Sequence, residues 1–115
     1  MASTTSLVGP NLVIDSAATA SNASSLLAEA EALCIYCPAT ITNTVKVQVS
    51  PDADDTATAS ITWYDLYSSG ATITMTINAC ITITSVGGFR QLRLLSSGAE
   101  SQEDIFKVTL QVRNY

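Results

Sequence analysis

From Val45 to Val112 the chain keeps returning to alternation of apolar and polar residues, and nothing else in it limits the fold as much. Val45, Val47 and Val49 share one side of a run whose other side carries Lys46 and Gln48. Ile73, Met75 and Ile77 alternate with threonines, and the stretch CITITS repeats that pattern. Phe106, Val108, Leu110 and Val112 alternate with Lys107, Thr109, Gln111 and Arg113. Successive side chains of a strand point to opposite faces, so a two-residue period means pleated strand with one face on a core. Turn chemistry punctuates the runs: SPDADD, SSG, the Gly87-Gly88 pair and SSGAESQED. About eight short strands without a helix pattern between them predict an all-β fold, a single antiparallel β-sandwich of jelly-roll type.

The expected core is Ile35, Val47, Val49, Trp63, Ile73, Met75, Ile77, Ile81, Ile83, Leu92, Leu94, Phe106, Val108 and Leu110. ITWYDLY reads as one strand with Ile61, Trp63, Asp65 and Tyr67 on one side, covered on both faces because both sides carry bulky groups. Trp63 shares its phase with Ile61, which favours packing between sheets over a sugar-stacking platform. Tyr64 and Tyr67 point opposite ways, which leaves at least one at a surface or an interface.

The leading segment differs in character. It is rich in Ala and Ser with one short apolar run, Leu12-Val13-Ile14. Such a stretch has little to bury by itself, so residues 1–25 are expected to form an extended N-terminal arm before a β-sandwich domain over 26–115. SLLAEAEAL contains helix formers, but it lacks an apolar stripe and is too short to stand alone. It reads as turn and strand entry.

Charge narrows the functions. The net charge is −5, and the five basic residues are scattered. Phosphate neutralisation needs clustered cations, so nucleic-acid binding is not expected. No segment reaches the ~20 apolar residues of a membrane span, and MASTTSLVGP lacks the marks of a secretory signal. A soluble chain made in a cytosol is expected, without membrane binding. There is no histidine. Ser-His-Asp and Cys-His arrangements are therefore impossible, and no enzyme is expected. Cys34, Cys37 and Cys80 read as reduced packing residues, because the Cys-Ile-Tyr-Cys spacing has no second ligand pair for zinc. Asp52, Asp54 and Asp55 lack the spacing and glycine of a calcium loop and read, with Glu100, Glu103 and Asp104, as solvated acidic loops. No metal and no cofactor is expected.

The order VKVQVSPD, TWYDLY, a Thr/Ile-rich strand, FRQLRLLSSG and FKVTLQV resembles small jelly-roll modules of the discoidin or carbohydrate-binding kind. With the Ser/Ala-rich lead and the EALCIYCP strand, it is also similar to small structural proteins of tailed bacteriophages, the head decoration or cement proteins above all. The resemblance spans roughly residues 33–112, and SPDADDTATAS departs from it in having no Asp-Gly turn. It implies a non-enzymatic virion protein that binds the capsid exterior and cements neighbouring capsomers, made in the host cytoplasm. Its partners would be the major capsid protein and copies of itself, as a dimer or trimer. The alternatives are a carbohydrate-binding module on the virion surface and a head–tail junction or tail protein. The expected contact residues are Leu12, Val13, Ile14, Asp52, Asp54, Asp55, Tyr64, Tyr67, Ser68, Ser69 and Gly70, all outside the expected core.

Overall fold

The computed structural model describes residues 4–9, 11–25, 30–52, 56–68, 70–84 and 89–113. Their strands are β1 (Thr4–Val8), β2 (Leu12–Ile14), β3 (Ser24–Ser25), β4 (Ala30–Tyr36), β5 (Val45–Ser50), β6 (Tyr64–Asp65), β7 (Tyr67–Ser68), β8 (Ala71–Thr72), β9 (Cys80–Ile83), β10 (Gln91–Ser96) and β11 (Asp104–Arg113). A single 3₁₀ turn covers Thr58–Ser60. No helix among them is long and apolar enough to cross a membrane.

The protein is an antiparallel β-sandwich. The larger sheet runs β1-β11-β4-β9, with β2 also on β11; the smaller runs β3-β10-β5-β6. β11 is the spine, because its alternation is the longest in the chain. It pairs with β4 along one side and with β2 and then β1 along the other. In the smaller sheet β10 and β5 pair over their whole lengths, which sets Leu92 opposite Val49 and Leu94 opposite Val47. Those faces meet in one core, where Leu33, Ile35, Val45, Val47, Leu94 and Phe106 are wholly buried. Each such side chain contributes about 1.5–3 kcal/mol relative to exposure.

The described residues among the first 25 do not stand apart as an arm. β1 and β2 add to the larger sheet, and Leu12 and Ile14 are completely buried in the core. Further on, the chain lines the free side of β10. The Ser21 N–H donates to Leu94 O at 2.9 Å, and the Leu94 N–H donates to Ser21 Oγ at 2.8 Å. The Ser96 N–H reaches Thr19 O at 2.7 Å. Three apolar residues cannot form a core alone, but beside Phe106 they complete one.

Three other expectations are corrected. ITWYDLY is not one strand: it breaks at Leu66 into β6 and β7. Ile77 is 49% exposed, because the Thr76–Ala79 turn lifts it out of the alternation. Asn78 takes the left-handed backbone of that turn, a conformation Asn tolerates better than most residues. Trp63 lies outside the space between the sheets. Val49, Ile73 and Ile81 are only partly buried, packed against the core rim.

Candidate functional site

At Leu66 the chain leaves the smaller sheet to make a projecting hairpin. The Leu66 N–H donates to Val47 O at 2.9 Å, and the Val47 N–H donates to Ile73 O at 3.1 Å. The Ile73 N–H closes the stem on Leu66 O at 2.9 Å. β7 and β8 then pair Tyr67 with Thr72 and Ser68 with Ala71. A two-residue link needs positive φ, which Gly70 supplies at 79°. Tyr67 is 62% exposed on this hairpin, and Tyr64 is 57% exposed just before it. Ser68 and Gly70 are exposed as well. Four of the expected contact residues are therefore exposed on or just before the hairpin, and Tyr67 and Ser68 also border a cleft of about 130 Å³ between the hairpin and β9.

The remaining expected contact residues are placed otherwise. Leu12 and Ile14 are core residues and touch no outside partner, while Val13 is half-buried with its N–H on Asn22 Oδ1 at 2.8 Å. Asp52 staples its own loop: its Oδ2 accepts from the Thr62 N–H at 2.7 Å and from Ser50 Oγ at 3.2 Å. Asp54, Asp55 and Ser69 lie outside the described residues.

Trp63 belongs to the outer face of the smaller sheet. Pairing sets Gln48 between Arg93 and Asp65 on that face. Lys46 Nζ bonds Asp65 Oδ1 at 2.9 Å, and Gln48 Nε2 donates to the same oxygen at 2.9 Å. Arg93 Nε donates to Gln48 Oε1 at 2.9 Å, and its guanidinium sits 4.5 Å from the Trp63 ring centroid. The Gln48 and Lys46 hydrogen bonds hold the Asp65 carboxyl below its ordinary range, and burial lowers the Arg93 value. These groups spend their hydrogen bonds on one another, so the row fastens the loop to the sheet. Beside it opens a hollow of about 420 Å³, lined by Thr44, Lys46, Asp65, Thr72, Thr74 and Leu95 among others.

The acidic loop near the C-terminal strand is solvated only at Glu103 of its three carboxylates. Glu100 and Asp104 are buried, at 1% and 0% exposure, whereas Glu103 is exposed. Glu100 is well supported. Its Oε1 accepts from the Thr42 N–H at 2.8 Å, and its Oε2 accepts from Asn43 Nδ2 at 2.6 Å and Ser96 Oγ at 2.9 Å. Burial alone would raise the Glu100 carboxyl, but bonding to Asp104, Thr42, Asn43 and Ser96 brings it down to about 2. Asp104 is pushed up to about 6, by burial first and then by Glu100, with the Thr40 hydroxyl opposing. Neither Asp104 oxygen has a hydrogen-bond partner of good geometry among the described residues. One carboxylate and one carboxylic acid side by side is the arrangement this favours. The pattern held a signal for it, since Asp104 has the parity of Phe106, Val108 and Leu110.

The cysteines divide by face. Cys37 is buried, and burial with the Asp104 and Glu100 charges pushes its thiol up to about 11. Cys34 is half-buried beside Thr82, and Cys80 is exposed, so the packing reading does not hold for Cys80. Among the described residues no three Cys, Asp or Glu side chains are grouped to hold a metal ion. No protein-family model matches the chain, and no curated protein is detectably similar to it in sequence.

Proposed function

We propose that this chain is a non-enzymatic attachment protein and, following the resemblance in its strand order, that it binds the exterior of a tailed-bacteriophage capsid and cements neighbouring capsomers. The observation that supports attachment is the projecting hairpin with Tyr67 and Tyr64 more than half exposed beside it. Tyrosine offers a large, stiff contact area with a hydroxyl at its tip and loses little entropy on binding. The stem at Leu66 and Ile73 holds those rings on the core rather than on a mobile loop. From Leu66 to Phe89 the chain carries no Asp, Glu, Lys or Arg, so contact here rests on apolar burial and hydroxyl hydrogen bonds. Major capsid protein and sister copies are the partners in this reading.

The test is quantitative mass spectrometry of purified virions, followed by salt washing. Copies in the hundreds, retained through about 0.5 M salt, are expected, because salt screens exposed ion pairs and spares apolar contacts. Tyr64→Ser with Tyr67→Ser should release the protein without unfolding it. A handful of copies would move it to the head–tail junction or tail. Absence from the particle would end the phage reading. The hollow beside Lys46 and Asp65, bordered by Thr44, Thr72 and Thr74, supports a second reading, a carbohydrate-binding module. Glycan-array binding that is lost in Lys46→Ala and kept in the tyrosine variants would favour it.

A further inference from the structure

Among the described residues β9 is an outermost strand of the larger sheet, with β4 on one side only. Its register runs from Tyr36 opposite Cys80 to Leu33 opposite Ile83. One step beyond, the Cys37 N–H donates to Ala79 O at 2.9 Å. Bonded and non-bonded pairs alternate along an antiparallel ladder. Ala79, Ile81 and Ile83 therefore direct their backbone groups to β4, and Cys80 and Thr82 direct theirs outward. Among the described residues nothing bonds those outward groups.

Open edges are normally blunted by Lys, Pro, a bulge or a covering element. This one has no Lys, no Pro and no charge nearby in sequence. We infer that the β9 edge is a self-association surface, where two copies of the chain pair β9 with β9 antiparallel about a two-fold axis.

The residues on this edge match each other under that operation. With the axis at Thr82, Thr82 meets Thr82 of the second copy, Cys80 meets Thr84, and Ile81 meets Ile83. The residues whose backbone groups point outward are the ones that come opposite one another as bonded pairs. Both Ile-against-Ile pairs fall on the core side, and the threonines and cysteines fall on the other. The larger sheet then continues across the dimer as an isologous contact. The match of the edge to itself under the two-fold points to a copy as occupant. A chain of net charge −5 repels its own surface in general, but the segment from Leu66 to Phe89 sets no charge against its copy.

The proposal goes beyond capsid attachment and is tested on the purified chain with no capsid present. One strand pair makes a small interface, so light scattering and sedimentation should span about 1 µM to about 1 mM. Wild type is expected to rise from 12.1 kDa to twice that mass. Thr82→Pro removes the outward N–H and leaves the β4 bonds intact. Thr82→Lys sets two ammonium groups face to face and should weaken the dimer at least about 10-fold. Circular dichroism and melting temperature should stay as in wild type, and the Lys variant decides the matter if the Pro variant unfolds. Wild type that is monomeric throughout, or a dimer unchanged in the Lys variant, overturns the proposal. A monomer that needs Thr82 for retention on a capsid would assign the edge to a foreign strand, and overturns it too.

Discussion

Asp104→Asn should flatten the pH dependence of stability between pH 5 and 8. In the wild-type protein the Asp104 carboxyl, wholly buried at the start of β11, is raised from 3.8 to about 6. Its folded value lies above its unfolded one, so the folded state holds the proton more tightly. Stability then falls as pH rises from about 3.8 to about 6, and the full cost persists above that. At about 1.4 kcal/mol per pH unit, the cost at neutral pH is about 3 kcal/mol. Glu100 has the opposite sign. Lowered from 4.5 to about 2, it stabilises the fold above its ordinary value, and this is lost as pH falls toward about 2. Together the pair places maximum stability at about pH 4–5. The chain has no histidine. No other ordinary side chain titrates between pH 5 and 7, so the change there reports this carboxyl. Urea and thermal denaturation at pH 5, 6, 7 and 8, followed by circular dichroism, should show wild type losing roughly 1.4 kcal/mol, or about 5 °C, across the range, the rest of the cost having been incurred below pH 5. The Asn variant should lose less than about 0.5 kcal/mol over it, even if an amide without a partner lowers its stability by about 1–3 kcal/mol at every pH. The same slope in both proteins would refute the buried acid.

Leu12→Ala should cost about 2–5 kcal/mol in urea denaturation, the usual range for a wholly buried leucine. An unchanged midpoint would restore the arm. Trp63 is the only tryptophan, so its fluorescence reports the outer face of the smaller sheet. Arg93→Ala should shift its emission to the red while costing no more than about 2 kcal/mol in stability, the scale of one cation–π contact.

The period-two pattern was sufficient to establish an all-β sandwich and to set the faces of β5, β10 and β11, because each of those strands has one side on the core. It also placed Asp104 inward. Reading that residue as solvated let its charge override its parity. The opposite phases of Tyr64 and Tyr67 called for at least one of them to be exposed, and both are, in a run that breaks at Leu66. Which phase of that run faced inward was not legible, because both sides are bulky and only pairing with Gln48 turned Asp65 and Trp63 outward. Leu12 and Ile14 look like an arm in isolation, and they become core only because β11 offers an edge beside Phe106. Glu100 and Asp104 become a buried pair with opposite proton affinities only when the sheets close over them. Alternation is a local property of a strand and says which side chains share a face. Neighbours, registers and free edges come from contacts between residues far apart in the chain, and those were decided by the tertiary structure.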